Sequence, residues 1–337
     1  MKNNKFQYIF FDTGACKNGK PDTDNYYFIC TEDLRTLDSV SVVAYPMDYL
    51  PVLAHKIYLL LQYVAKTFRI SVLNKLCFPF YFNSNIVDAS KHLCFIVYGY
   101  YIQPDYLRYL KLKYPNCKIV KIHRDSYDIW RRKNKEFTDS DMSSLFDLQM
   151  SYDNGDSKKY GMIHFDEIES KTSVIVDKNY PLYDVFFAGA AKDRLPLLLS
   201  IYDHLSKNGF KCFFYLTCVD KKNQIKRDNI VYADKNMSYR EMLHHTVNSK
   251  VVLEVNQGCV DGFTSRFLES VLYNKRLLTN NIAVKKNRYY SNRFICCFVK
   301  PDEISPDFIN DNTEVNYNYA GEFSPVHLIR LIENSLK

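Results

Sequence analysis

Short apolar runs alternate with stretches of helical period along most of the chain. Residues 7–11 form a short, mainly apolar run that meets Asp12-Thr13-Gly14, a strand entering a tight polar loop. Residues 38–44 read as a second strand. Between 51 and 74, Ile57, Leu60, Leu61, Val64 and Phe68 recur at helical spacing, so a helix packed into the core is expected. Its other side carries Lys56, Lys66 and Arg69, and Phe78-Pro-Phe-Tyr-Phe82 follows, a combination that would also suit a membrane interface. Strand, helix and strand then follow at 93–98, 104–114 and 117–122. That connection is too long for a hairpin, which makes the two strands parallel.

Residues 147–151 read as one more strand, and the polar stretch 167–183 marks a domain boundary. Beyond it the alternation is more regular. Strands are expected at 184–188, 211–216, 229–232, near 250–255, at 275–279 and at 293–299, with helices near 196–207, 239–247, 264–273 and 324–336. Ser238-Tyr-Arg-Glu241 is a capping-box pattern, and Gly209 is placed to end the helix before it. Such alternation predicts an α/β protein with parallel, doubly wound sheets.

Composition narrows the class without naming a function. At 337 residues with 47% hydrophobic and 25% charged residues, the chain fits two packed domains and not a disordered one. Lys plus Arg exceed Asp plus Glu by 45 − 38 = 7, which suits anionic ligands or an anionic membrane surface but is too diffuse to indicate nucleic acid. Ten scattered cysteines without a C-x-x-C pattern read as free thiols of a reducing cytosol, and zinc is not expected. No apolar stretch reaches the ~18–20 residues of a spanning helix, so the expectation is a cytoplasmic protein, with the inner face of the cell membrane as a further contact.

Candidate chemistry gathers at strand ends. In open α/β sheets ligands bind beyond the carboxyl ends of the strands. In the first half these positions hold Asp12, Thr13 and Gly14, then Tyr98-Gly99-Tyr100, then His123-Arg124-Asp125. In the second half, Gly189 to Arg194 and Gln257 to Arg266 each combine small residues with cations just before a helix, where free N–H groups bind anions. Phe267, Leu268, Val271 and Leu272 give the last of these helices a buried face, with Arg266, Glu269 and Tyr273 falling to one side of it. Two D-x-D triplets, at 22–24 and 139–141, follow no hydrophobic strand and read as solvated turns, not metal sites.

The second half carries a resemblance. VFFAGAAKDR, MSYREMLHH, KVVLEV and DGFTSRFLESVLYNKRLLTNN together resemble the donor domain of GT-B glycosyltransferases, over about residues 184–300. FAGA and TSRFLE are most similar to bacterial surface-polysaccharide transferases, while the first half matches only in layout. The resemblance implies two Rossmann-like doubly wound domains facing a central cleft: 1–170 for the acceptor, 171–322 for the donor, and a final helix, 323–337, packing back toward the first. It implies sugar transfer from a nucleoside-diphosphate sugar, UDP-sugar favoured, to a glycan or lipid-linked glycan, with the nucleotide sugar as substrate, no cofactor, no metal and no nucleic-acid partner. Glu269 would hold the ribose. Gly262, Thr264, Ser265 and Arg266 would lie by the diphosphate, with Gly189, Lys192 and Arg194 as its other wall. Thr13, Gly14, Tyr98, Gly99 and Tyr100 would meet the acceptor, and Asp12, His123 and Asp125 are the candidates for its base. Asp261 stands where retaining members commonly show a second glutamate, and Asn274 stands where a glycine often follows the helix. A sugar-nucleotide epimerase, a polyol-phosphate transferase and a non-catalytic nucleotide-sugar-binding subunit are the rival readings.

Overall fold

A computed structural model describes residues 5–12, 16–17, 20–43, 50–68, 70–98, 102–256 and 263–336. The chain divides into two compact units. Unit 1 comprises Met1–Ser170 with Ser324–Lys337, and unit 2 comprises Lys171–Phe323.

Unit 1 begins with β1 (Phe6–Asp12), a two-residue ladder of β2 (Cys16–Lys17) and β3 (Lys20–Pro21), α1 (Tyr26–Cys30) and β4 (Val40–Val43). It continues through α2 (Val52–Phe68), α3 (Ser71–Cys77), β5 (His92–Tyr98), α4 (Pro104–Lys113) and β6 (Lys118–His123). α5 (Tyr127–Lys133), α6 (Asp139–Ser144), β7 (Leu148–Ser151), α7 (Asn154–Tyr160) and β8 (Ile163–His164) complete its first segment. The six-stranded sheet has the order β4-β1-β5-β6-β7-β8, all parallel. All seven residues of β1 are buried, as expected of a parallel strand covered on both faces. Ile9, Phe11, Phe95, Val97 and Ile119 pack on one face, and Phe6, Tyr8, Phe10, Ile96, Tyr98 and Ile122 on the other. The second face is closed by Leu328, Ile329 and Ile332 of the chain's last helix.

Unit 2 runs through β9 (Tyr183–Ala190), α8 (Leu195–Lys207), β10 (Cys212–Thr217), β11 (Ile230–Ala233), α9 (Tyr239–Val247) and β12 (Ser249–Glu254). α10 (Ser265–Leu272), β13 (Arg276–Thr279), β14 (Ile295–Cys297) and α11 (Pro306–Asn310) follow; α12 (Pro325–Ser335) then returns to unit 1. The sheet order is β11-β10-β9-β12-β13-β14, again all parallel. The chain moves outward from β9 on one side and restarts at β12 on the other. The β9/β12 junction is therefore the switch point at which such sheets open a crevice for ligands. Asn274 takes φ 50° just past α10, the left-handed position that a glycine otherwise fills, which explains the departure at that position.

The expected core helix at 51–74 is corrected. It breaks into α2 and α3, and Ala65 is the only buried residue among those of α2 whose side chains are described. The apolar stripe faces outward. Of the D-x-D pairs, Asp22 closes a turn by accepting from the backbone of Asp24 at 3.3 Å. Asp141 instead completes a capping box with Thr138 at the start of α6 and pairs with Arg108. No helix is long and apolar enough to cross a membrane among the described residues.

Candidate functional site

At the switch point of unit 2, Glu254 closes the apolar run of β12 and is 2% exposed. Its two oxygens accept the hydroxyls of Thr264 and Thr279. Burial raises its carboxyl, opposed by those hydroxyls and by the charges of Arg266 and Arg194. Thr264 is the N-cap of α10, where its Oγ1 accepts the N–H of Arg266 at 3.2 Å. One buried carboxylate thus fixes the start of the helix through its capping hydroxyl. The first N–H groups of α10 have no partner within the helix, and its positive end points at whatever lies before Thr264.

Arg194 reaches the same junction from the loop after β9. Its Nε and Nη2 donate to the Ala190 carbonyl at 3.1 and 2.7 Å, and its Nη1 donates to the Val255 carbonyl. The guanidinium so ties together the ends of β9 and β12, with the Phe187 ring 5.4 Å away. A guanidinium carries five N–H donors, so donors remain for an anion. Lys192 is exposed and takes φ 47°, a left-handed conformation that costs a residue with a side chain roughly 1–2 kcal/mol. Gly189 is not forced by packing, since a Cβ there would meet Arg194 Nη2 at 3.5 Å and Phe187 Cζ at 3.6 Å, both ordinary contacts. Gly189→Ala is therefore expected to melt within a few degrees of wild type. A tenfold or greater loss of UDP affinity in that folded variant would show a ligand against this backbone; unchanged affinity would remove Gly189 from the site.

Glu269 differs from expectation. The helical pattern puts it beside Arg266 on a side turned from the core, yet it has no solvent exposure. α9 covers that side. Glu269 accepts from Tyr239 at 3.0 Å and pairs with Arg266, whose other Nη lies against Met242 Sδ. Burial raises its carboxyl, opposed by Arg266 and then Tyr239. Arg266, with 16% of its side chain exposed, is the member of the pair that can meet a ligand. Ser265, the first residue of α10, is half-buried, and Gly262 lies outside the described residues.

In unit 1 the three base candidates do not gather. Strand side chains alternate between faces. Asp12 stands on the face of Tyr8 and Phe10, His123 on the face of Ile119. Asp12 is fully buried and accepts from Thr31 at 2.8 Å. His123 is 1% exposed, edge-on to Tyr127 and Trp130, with its Nε2 3.3 Å from Gln149 Oε1. Burial, followed by the charge of Lys121, pushes its pKa down to about 3, so it is a neutral ring with little strength as a base. Asp125 is exposed past the strand end.

What unit 1 does assemble centres on Arg124. Its Nε donates to Glu167 at 3.1 Å and its Nη2 to Tyr26 at 3.1 Å, with the Tyr98 ring 4.7 Å away. Tyr98 donates to the same carboxylate at 3.3 Å. Asp12 and Tyr98 are register partners on β1 and β5, the switch point of this sheet, so the cluster sits where a ligand crevice is expected. Thr13, Gly14, Gly99 and Tyr100 lie outside the described residues. Arg124 was named at a strand end without a role and Glu254 was not singled out, although a charged residue at or just past the end of a strand was the available signal for both. Among the described residues no group of three His, Cys, Asp or Glu stands where it could hold a metal ion.

No family model matches the chain, and no curated protein matches it by sequence. Solved structures do. An α-glucosyltransferase (AGT) in complex with UDP is similar at a TM-score of 0.59 and 9% identity, over 98% of this chain and 99% of that one. An α-glucosyltransferase with UDP and a 13-mer DNA containing an HMU base is similar at 0.58 and 10%, over 98% of both chains. An α-glucosyltransferase with UDP-glucose and DNA containing an abasic site is similar at 0.55 and 9%, over 98% and 99%. The chain has this two-domain α/β fold, the GT-B architecture, over 98% of its length. The exclusion of nucleic acid is corrected by these structures, two of which hold DNA. A net charge averaged over 337 residues says nothing of where the cations sit, and so could not exclude a polyanion.

Proposed function

We propose that the protein is a glycosyltransferase that moves a sugar from a UDP-sugar to an acceptor hydroxyl. The observation that carries this reading is the constellation of Arg194, Glu254, Thr264 and Arg266 at the β9/β12 switch point, in a fold shared with enzymes solved with UDP. The departing diphosphate develops negative charge. The first N–H groups of α10, with Arg194 and Arg266, supply fixed positive charge to meet it. Glu254 and Glu269 are positioning groups, one for the capping hydroxyl and one for the Arg266 guanidinium. Each Glu269 oxygen keeps a further lone pair, but the carboxylate has no exposure, so a ribose reaches it only if its covering moves.

The likeness to structures that hold DNA makes a hydroxyl carried on nucleic acid the first acceptor class to test. A glycan of bacterial surface polysaccharide is the second reading, favoured by the resemblance of FAGA and TSRFLE and by the outward apolar face of α2, which would suit a lipid-linked acceptor. The test offers UDP-sugars with hydroxymethylated DNA in one arm and a lipid-linked glycan in the other. The expected result is one UDP released per sugar transferred in one arm. A folded protein that releases no UDP in either arm, or that converts the donor without an acceptor as an epimerase would, contradicts the proposal.

A further inference from the structure

Among the described side chains of α2, only Ala65 is buried, and its outer face is apolar. Val52, Leu53, Ile57, Leu60, Tyr63 and Phe68 are each at least half exposed, Leu53 at 71% and Tyr63 at 68%. α3 extends the patch with Val72 and Leu76, and an apolar pocket of about 210 Å³ lies between the two helices, lined by Leu61, Leu76 and Cys77 among others. Single surface apolars are ordinary, but a contiguous set of this extent marks an interaction surface.

Charge tells what covers it. From 49 to 87 the sequence holds Lys56, Lys66, Arg69 and Lys75 and not one Asp or Glu. Lys56 is exposed within the apolar face, and Lys75 reaches Asp105 at 3.1 Å at its edge. A nucleic acid would leave so many large apolar side chains unmatched, and a second copy of the chain is an outcome of the test below. An anionic bilayer needs both: acyl chains for the apolar face and headgroups for the lysines. At 17 residues α2 is too short and too interrupted by charge to span, so it would lie in the interface plane.

We propose that α2 and α3 dock unit 1 onto an anionic phospholipid surface. This inference stands apart from the transfer reaction, because none of its residues belongs to the switch point of either sheet. It is tested by sedimenting the full chain with vesicles of phosphatidylcholine alone and with about one-third phosphatidylglycerol. Binding is expected to be at least about tenfold stronger on the anionic vesicles and to weaken in about 0.5 M salt. Leu53→Asp with Leu60→Asp is expected to cut the bound fraction by about tenfold or more while leaving the melting temperature and its shift with UDP unchanged. Retention of that shift separates failed docking from a failed donor site. No binding to anionic vesicles, or equal binding by the double variant, overturns the proposal. So does a stable dimer of the wild type in light scattering that the double variant turns into monomer, since a second copy would then cover this face.

Discussion

Glu269→Ala is expected to lower the unfolding free energy by about 3–5 kcal/mol, the cost of leaving one member of a buried ion pair without its partner. The carboxylate has no exposure, and it joins α10 to α9 through the Arg266 guanidinium and the Tyr239 hydroxyl. Truncation takes the carboxylate from a nearly buried cation and removes an acceptor of a buried phenol. Glu269→Gln keeps an acceptor for Tyr239 and should cost less. Removing both charges, as Glu269→Gln with Arg266→Met, should recover part of the loss, because two charges removed together leave neither stranded. Urea denaturation of the four proteins decides the matter. A loss below about 1 kcal/mol in Glu269→Ala would show that the pair does not hold the helices together. The chemical consequence is practical: loss of UDP binding in Glu269→Ala reports the fold as much as the ribose, so Glu269→Gln is the variant that tests contact with the donor.

Lys121→Met is expected to stabilise the protein by about 3 kcal/mol near neutral pH. Lys121 is 2% exposed on β6, and burial pushes its pKa down to about 7, with Asp125 opposing the shift. Its ammonium lies 5.3 Å from the Trp130 ring, a contact that returns only about 1 kcal/mol. In the unfolded chain the amine keeps its usual pKa of about 10.4, so between pH 7 and that value the unfolded state binds more protons than the folded one. Stability from this group therefore rises with pH across that window, and the full penalty is present below pH 7. The gap in melting temperature between Lys121→Met and wild type should be large at pH 6 and shrink toward pH 10. A gap that is absent, reversed or independent of pH would mean that the amine is not buried as the structure places it.

Much of the fold was legible because both sheets are parallel. Strands covered on both faces appear as apolar runs, and every expected run from 7–11 to 293–299 contains a strand within a few residues of its expected ends. β8, with two residues, has no run to read. The same coverage explains the misreadings at the sites. His123 ends KIVKIH, where alternation suggests an exposed polar position at an open end, but α5 brings Trp130 over it and over Lys121. Glu269 sits on the polar side of its own helix, and only the approach of α9 buries it. For α2 the error ran the other way: a helical apolar stripe tells that a face is apolar but not that anything packs on it. Arg194 and Thr264, in contrast, stand where strand-loop-helix order alone put them, because that order fixes the switch point whatever covers the sheet.

Hydrogen exchange of the whole chain with and without saturating UDP shows whether the β9/β12 junction binds the donor nucleotide. Added protection is expected in peptides covering 189–195 and 254–273, which carry Arg194 and Val255 of the β9/β12 junction, with Glu269→Gln weakening it and Lys121→Met leaving it intact. Protection confined to unit 1, or no protection at a UDP concentration about a hundred times any measured dissociation constant, where a bound ligand adds roughly 2.7 kcal/mol, would contradict it.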